Sequence, residues 1–265
     1  MFRYFKLKIR KIIPDSFQVP LKYWYCFARG FIEPEMALLK KIIRPSSVAI
    51  DIGGNRGIYS YYISKLCKRI EIFEPNPTCF NILESWASSI EGINVHNLAL
   101  SSEEGISKLF IPIDIDGVEH DSSGSIQKNT SANSRFEMVE LQRLDAFRFE
   151  KIDFIKIDVE GHELSVLEGA KQILKDYKPA LLVEIEQRHN KQPIEEIFNF
   201  LKSYGYKGYF FHAGYLENIA SFNQSIHQKE KNLNSNDLYI NNFLFLNKWS
   251  LDKGKYTDLI NLLKK

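Results

Sequence analysis

Short apolar runs alternate with helical patterns from about residue 46 onwards. Seven runs have the length and composition of buried strands: 47–51, 70–74, 93–97, 154–158, 180–186, 206–212 and 241–246. The segments between them place apolar residues at helical spacing, most clearly at 58–66, 163–174 and 194–205. This alternation is typical of βαβ units, and it predicts a parallel sheet covered by helices.

The stretch between the third and fourth predicted strands has another character. Residues 106–113 and 136–144 have the pattern of strands, whereas residues 114–134 are polar and rich in Ser, Asn and Gly. A loop of this length inside a domain is usually a lid, a binding loop or disordered. We expect an insertion at about 101–150 whose polar loop helps to cover a bound acceptor.

The amino-acid composition limits the classes of protein to which this chain can belong. Hydrophobic residues make up 44% and charged residues 26%, as in ordinary globular proteins, and a net charge of +2 gives no reason to expect nucleic acid as a partner. The three cysteines include no CxxC pair, which suggests a reducing compartment. No apolar run reaches the length of about eighteen residues that a membrane span needs, so we expect a cytoplasmic protein.

Charge is strongly biased only at the start of the chain. Residues 1–13 carry five basic side chains and no acidic one, interleaved with aromatic and aliphatic residues. A basic amphipathic helix resting on the anionic inner face of a membrane has this pattern. A helix that packs its apolar stripe on the domain or on a partner also has it, and we favour that interpretation. We treat residues 1–45 as an N-terminal helical extension and 46–265 as the main domain.

A glycine-rich turn follows the first predicted strand. Asp51 ends the strand, and Gly53 and Gly57 allow the backbone to approach a ligand at a helix N-terminus. The glycine spacing matches neither a dinucleotide fingerprint nor a P-loop, and Asp51 would repel a pyrophosphate, which argues against an NAD-linked oxidoreductase. Glu74 ends the second strand, where an acid commonly accepts ribose hydroxyls. Together these residues predict binding of an adenosyl group that carries a cation.

A cluster of titratable residues follows the fourth predicted strand. Asp158, Glu160 and His162 lie in a tight turn before a helix, at the same edge of the sheet as Asp51 and Glu74. A histidine or carboxylate at this place can deprotonate an acceptor hydroxyl as it attacks a methyl group. We therefore expect the general base among these three residues.

Two other roles for the acids stay open at this point. Asp158 and Glu184, which ends the fifth predicted strand, supply the oxygen ligands that a divalent metal such as Mg²⁺ prefers. Alternatively, Asp158 and Glu160 cap the following helix and accept hydrogen bonds from its backbone. Glu186 lies two residues beyond Glu184, and we expect these two glutamates to have separate roles.

Four segments of the chain together match one known family. They are AIDIGGNRGIYS (49–60), IFEPNP (72–77), LALSSEEG (98–105) and FIKIDVEGHELSVLEGA (154–170). On these segments the chain resembles the FkbM family of S-adenosylmethionine-dependent methyltransferases over about residues 46–186. The DVEGHE block is the specific part of the match, and members of the family typically have Ala where Gly54 stands.

The resemblance implies a fold, a reaction and a set of binding residues. The fold is α/β, a Rossmann-like class I methyltransferase fold with a seven-stranded, mostly parallel sheet, an antiparallel last strand and helices on both faces. The reaction is methyl transfer from S-adenosylmethionine to a hydroxyl, often of a sugar or glycan or of a natural product. The residues that match the family's cofactor turn and ribose acid are Asp51, Gly53, Asn55, Gly57 and Glu74.

The resemblance also concerns the reaction centre. Asp158, Glu160 and His162 match the family's signature there, without individual roles. Some sugar O-methyltransferases of similar fold use Mg²⁺ at the equivalent strand tips, which makes Asp158 and Glu184 candidate metal ligands.

Two further functions compete with O-methylation. One is a methyltransferase that acts on nitrogen or on a small metabolite, and the other is a non-catalytic nucleoside-binding scaffold of a glycan assembly. A scaffold gains nothing from three titratable groups at one strand tip, so we favour an enzyme. We expect a small-molecule or glycan acceptor and no nucleic acid.

Overall fold

The predicted apolar runs form strands in the computed structural model, which describes residues 13–113, 124–126, 134–233 and 239–264. The strands of these residues are β1 (Val48–Ile52), β2 (Arg69–Phe73), β3 (Ile93–His96), β4 (Ala99–Leu100), β5 (Gly105–Pro112), β6 (Ser134–Gln142), β7 (Phe154–Ile157), β8 (Ala180–Glu184), β9 (Tyr206–His212), β10 (Tyr215–Asn218) and β11 (Asn242–Asn247).

Helices fill most of the connections between the strands. They are α1 (Asp15–Ala28), α2 (Leu39–Ile42), α3 (Ile58–Ser64), α4 (Pro77–Ala87), α5 (Glu163–Glu168), α6 (Lys171–Asp176), α7 (Glu195–Ser203), α8 (Gln224–His227), α9 (Lys248–Asp252) and α10 (Thr257–Ile260). A 3₁₀ helix at Pro34–Leu38 joins α1 to α2.

The large sheet has the order β10-β9-β11-β8-β7-β1-β2-β3. β3, β2, β1, β7 and β8 pair in parallel, and β11 runs antiparallel to both of its neighbours, β8 and β9. This confirms the predicted mostly parallel sheet with an antiparallel last strand. The sequence interpretation missed β10, which pairs with β9 across a tight turn at Ala213 and Gly214, so the sheet of the described residues has eight strands.

Apolar side chains cover both faces of this sheet because successive residues of a strand point to opposite sides. Ile50 and Ile52 belong to a core shared with α5, α6 and α7. Ala49, Ile70 and Ile72 belong to a second core on the other face, shared with α1 to α4 and α10. The strand ends that carry the predicted site residues are therefore packed between the two cores.

The helix predicted at 163–174 is broken in two, which the helical pattern did not reveal. α5 ends before Gly169, and α6 begins at Lys171. A Cβ on Gly169 would lie 1.9 Å from the carbonyl oxygen of Ser101. The glycine thus allows the helix junction to pack directly on the chain segment that follows β4.

The insertion forms a small sheet of its own. β5 and β6 pair antiparallel at the positions where strands were predicted, and β4 joins β6 in parallel. Leu109, Ile111, Val139 and Leu141 fill its core. Of the polar loop predicted at 114–134, all but 124–126 and 134 lies outside the described residues.

The N-terminal extension packs on the second core through one stripe of α1. Val19, Tyr23 and Cys26 are its buried residues, spaced four and three apart as a helix face requires. The basic segment predicted to form a helix lies outside the described residues except for Ile13. No helix in the described part of the chain is both long and apolar enough to cross a bilayer.

Candidate active site

The glycine turn lies between the ends of β1 and β7. Gly53 has a left-handed φ of 81°, and its N–H donates to the carbonyl oxygen of Phe73 at 2.8 Å. A Cβ on Gly53 would lie 1.8 Å from the carbonyl oxygen of Asp158. Only glycine allows this contact without moving backbone, so the turn and the predicted reaction centre are packed directly on each other.

Gly54 replaces the family's usual Ala, and the structure gives a reason. A Cβ there would lie 2.4 Å from Cγ2 of Ile72 and 3.2 Å from Cδ1 of Leu83. Ile72 is β-branched and fully buried, so it has little freedom to move away. The glycine makes room for this isoleucine.

Glu74 is buried at the end of β2 and holds the glycine turn. Its Oε2 accepts a hydrogen bond from the Asn55 N–H at 2.6 Å, and its Oε1 accepts one from the Asn76 N–H at 2.7 Å. Asn55 adopts a left-handed φ of 49°, a conformation that Asn tolerates better than most residues. Burial raises the pKa of Glu74 to about 7, against the lowering effect of the two N–H donors.

A first cleft opens beside Glu74. Gly53, Asn55 and Glu74 form its polar side, and its apolar wall is made by Leu98, Leu100, Leu109 and Ile126. Gly124 and Ile126 of the insertion loop also line it, and the Ser125 hydroxyl donates to the carbonyl oxygen of Glu160 at 2.7 Å. A carboxylate facing an apolar wall suits a ribose joined to a flat base.

A second cleft lies on the other side of the glycine turn. The two clefts share Gly53, Asn55 and Asp158. Asp51 lines the second cleft, where its Oδ2 accepts a hydrogen bond from the Ser60 hydroxyl at 2.5 Å. Burial raises the pKa of Asp51 to about 6, against the lowering effects of that bond and of Lys156.

Asp158 lies at the junction of the clefts beside a buried ammonium group. Nζ of Lys156 is 3.9 Å from Oδ2 of Asp158 and 3.7 Å from Oε2 of Glu184. Asp158 and Glu184 thus flank the same ammonium group. Burial raises the pKa of both, and the ammonium of Lys156 opposes that rise. The two carboxyls therefore titrate at a higher pH than isolated carboxyls do.

The N-terminal extension supplies a wall of the second cleft, which sequence reasoning missed. Oε2 of Glu33 accepts hydrogen bonds from the Tyr59 hydroxyl at 2.5 Å and from Nδ2 of Asn242 at 3.0 Å. The Tyr59 ring lies 4.9 Å from Nζ of Lys156. Phe31 also lines this cleft. The only sequence signal was the lysine inside the FIKID strand, an unusual residue for an apolar run.

His162 and Glu160 lie on the side of the first cleft. Nε2 of His162 is 2.9 Å from the Ser101 hydroxyl, and burial lowers the pKa of the imidazole to about 4, so it is neutral at pH 7. Glu160 has a left-handed φ of 52°, and its Oε2 is 3.0 Å from Nε2 of His189. The structure thus brings all three predicted catalytic residues to one turn, but Asp158 alone of them borders both clefts.

Helix capping does not account for these acids. α5 begins at Glu163, and no described contact from Asp158 or Glu160 reaches the N–H groups of its first turn. The carboxylate that serves this turn is that of Glu163, whose Oε1 accepts a hydrogen bond from the Gly161 N–H at 2.7 Å.

One group of described side chains has the spacing that ligands of a metal ion need. Glu160, Glu186 and His189 bring ligand atoms within 4.8 Å of one another, but Glu186 already binds Arg188 through both oxygens and accepts a bond from the Tyr239 hydroxyl. No third carboxylate, histidine or cysteine of the described residues joins Asp158 and Glu184 in such a group. Beside these two carboxylates the structure places the ammonium of Lys156.

The charges of the two clefts fit S-adenosylmethionine. Four carboxyl groups surround one lysine at the junction, those of Asp51, Asp158, Glu184 and Glu33, and this arrangement suits a ligand that carries a sulfonium and an amino group. Lys22 and Arg56 also line the second cleft, where their positive charges suit the carboxylate of the cofactor's methionine part. When bound, the sulfonium supplies an electrophilic methyl group.

We expect Glu74→Ala to weaken binding of S-adenosylmethionine by about 1–3 kcal/mol, or roughly 5- to 150-fold, because it leaves buried donors without an acceptor. Calorimetry measures the change. Glu71→Ala is the matched control, since Glu71 is a buried carboxylate of the same strand that lines neither cleft. Equal losses in the two variants, or saturable NAD binding by the wild type, would contradict the assignment.

We expect Lys156→Met to raise the apparent pKa of the Asp158–Glu184 pair further, because it removes the cation that favours the ionised forms. Carboxyl ¹³C chemical shifts, followed from acid to alkaline pH, measure the titration. Lys151→Met is the control, because Lys151 pairs with Asp153 at 3.1 Å at an exposed place outside the site. A downward shift, or none, would show that the ammonium does not govern the pair.

The chain is similar in sequence to known methyltransferases. Methyltransferase sdnD of Sordaria araneosa is 29% identical over 156 residues, which cover 46% of this chain and 60% of that protein. 2-O-methyltransferase NoeI of Sinorhizobium fredii is 28% identical over 170 residues, or 56% of this chain and 70% of that protein. The chain thus spans 60% of the length of sdnD, somewhat less than two thirds.

The comparison extends to solved structures and to a family model. The crystal structure of methyltransferase FkbM from Methylobacillus flagellatus KT aligns with 77% of this chain and 44% of that one, at 17% identity and a TM-score of 0.49. The family model described as methyltransferase FkbM domain matches residues 51–207, which include the glycine turn, Glu74, the DVEGHE block and Glu184. This chain belongs to the family of methyltransferase FkbM domains.

Proposed function

We propose that this protein transfers a methyl group from S-adenosylmethionine to a hydroxyl oxygen. The observation that carries the proposal is the position of Asp158, a carboxyl of raised pKa at the junction of two clefts. The first cleft receives the adenosyl part beside Glu74, and the second receives the cationic end of the cofactor together with the acceptor. A base at the junction lies where the acceptor oxygen and the methyl group must meet.

The residues of the chain act by binding, orienting and taking up a proton. Glu74 and the glycine turn fix the nucleoside, while Asp51 and the acids of the second cleft favour its cationic end. Asp158 accepts the proton of the acceptor hydroxyl as the oxygen–carbon bond forms and the carbon–sulfur bond breaks. Lys156 keeps the Asp158–Glu184 pair in a form that can receive this proton.

The lining of the second cleft supports a sugar, a glycan or a hydroxylated natural product as acceptor. The carboxylate of Glu33 and the hydroxyl of Tyr59 can hydrogen-bond hydroxyls of an acceptor, and Phe31 offers an aromatic face. NoeI, a relative of this chain, is named a 2-O-methyltransferase. The extension at 1–45 then completes the acceptor site of the domain at 46–265.

Transfer of label tests the proposal. The protein is incubated with methyl-labelled S-adenosylmethionine and separate fractions of glycans, small metabolites and amines. We expect label in an alkali-stable methyl ether of a hydroxylated acceptor, in the presence of a chelator as well as in its absence. Label on nitrogen would show that the acceptor atom is not a hydroxyl oxygen. Loss of activity in the presence of a chelator would show that a metal such as Mg²⁺ is needed. Cofactor binding without transfer to any fraction would favour a scaffold.

A further inference from the structure

α1 presents an apolar face to solvent as well as to the protein. Its buried stripe is Val19, Tyr23 and Cys26. On the opposite side, helical spacing places Phe17, Leu21 and Trp24 in one line. Phe17 is 60% exposed, Leu21 50% and Trp24 55%.

The residues that flank this line are apolar too. Tyr25 and Phe27 are 44% and 57% exposed, and Phe31 just beyond the helix is 57% exposed. Scattered exposed apolar side chains need no explanation, but a contiguous row of large ones marks an interaction surface. We call these six residues the outer face of α1.

The segment of the chain that carries the outer face is strongly basic. Residues 1–32 contain seven basic residues and one acidic residue, Asp15, whereas the whole chain has a net charge of only +2. The rest of the chain is therefore net negative. Lys40 and Lys65 add positive charge nearby, above the rings of Tyr62 and Tyr61 in a groove that Trp24 and Phe27 also line.

We propose that the outer face of α1 binds the interface of an anionic lipid bilayer. Trp, Tyr and Phe side chains prefer the boundary between headgroups and acyl chains, and the basic residues of the same segment complement the anionic headgroups. A protein partner would need no such excess of positive charge over 32 residues. Phe31 and Lys22 of this segment also line the second cleft, so its mouth adjoins the bilayer.

Tryptophan fluorescence tests the contact at the level of one residue. The chain has three tryptophans: Trp86 is buried, while Trp24 and Trp249 are comparably exposed in separate helices. Full-length protein is mixed with vesicles of phosphatidylcholine and phosphatidylglycerol, or of phosphatidylcholine alone. We expect a blue shift and protection from iodide only with the anionic vesicles, lost in Trp24→Phe and retained in Trp249→Phe.

Co-sedimentation with the same vesicles measures the energetics. Replacing Phe17 and Leu21 together by Ser should lower the partition coefficient by about tenfold or more, because two large apolar side chains leave the interface. Replacing Phe136 and Met138 of the insertion sheet by Ser is the matched control, since both are more than half exposed far along the chain. Circular dichroism verifies that both variants fold. Binding should fall as salt is raised.

Other occupants of the outer face would give different results. Equal binding to neutral and anionic vesicles, or no loss in the Phe17 and Leu21 variant, would overturn the proposal. A dimer in sedimentation equilibrium that dissociates in that variant would identify a second copy as the partner. Iodide protection of Trp24 without vesicles, lost on deletion of residues 1–12, would show that the start of the chain covers this face.

Discussion

Replacing Asp158 by Asn is expected to lower turnover by about a hundred- to ten-thousand-fold, the usual effect of losing a general base. The amide has nearly the same shape as the carboxyl, but it cannot take up the proton of an attacking hydroxyl. Affinity for S-adenosylmethionine should stay near that of the wild type, because Glu74 and the glycine turn form the proposed nucleoside site. Single-turnover kinetics and calorimetry separate the two quantities.

Glu160→Gln and His162→Ala are the matched comparisons. Glu160 contacts His189, and the lowered pKa of His162 makes the imidazole a weak base, so neither group is poised to act at the junction. We expect smaller losses of turnover in both variants than in Asp158→Asn. If either of them loses more turnover than Asp158→Asn, the base is misassigned. If all three variants turn over normally, the acceptor meets the methyl group elsewhere.

The pH dependence of turnover follows from the same pair. Asp158 acts only when ionised, and burial raises its pKa, so turnover should increase as pH rises through the titration of the pair. The stability of the fold changes in the opposite direction. Carboxyls with a raised pKa bind protons in the folded state that the unfolded state has already released, so their contribution is lost as pH rises through the folded pKa. Activity and stability therefore oppose each other across this range.

The sequence alone predicted the parallel part of the sheet and the edge of the sheet at which the candidate site residues meet. A strand tip is easy to find when an apolar run ends in a glycine turn or an acid, as at Asp51, Glu74 and Asp158. In a parallel sheet all such tips meet at one edge, so residues over a hundred positions apart could be placed together. The missed strand, β10, is short and half exposed, and it carries no run of apolar residues.

The roles within the site depend on contacts that no local pattern contains. Lys156 lies inside an apolar strand, and its partners come from Glu33, Tyr59, Glu184 and Asn242 in four other segments. Of these partners, Glu33 is brought to the site by the packing of the N-terminal extension, where it binds Tyr59 and Asn242. Only that packing distinguishes Asp158, which borders both clefts, from its two neighbours in the DVEGHE block.

Gly53→Ala is expected to disrupt the site through the backbone. The new Cβ would lie 1.8 Å from the carbonyl oxygen of Asp158, which belongs to a strand end held between two cores and cannot simply rotate away. A left-handed φ adds about 1–2 kcal/mol for any residue with a Cβ. With about 1–3 kcal/mol for the overpacking, the free energy of unfolding should fall by about 2–5 kcal/mol. Urea denaturation measures this change, and calorimetry should show weaker binding of S-adenosylmethionine.

Gly214→Ala isolates the steric part of this effect. Gly214 has a similar φ of 85°, but an added Cβ there meets nothing within 4 Å. It lies in the turn between β9 and β10, and it lines neither of the two clefts. We expect Gly214→Ala to show the backbone cost alone, about 1–2 kcal/mol, with unchanged cofactor affinity. Equal destabilisation in the two variants, with cofactor binding intact in both, would mean that the turn does not rest on the reaction centre as closely as the structure places it.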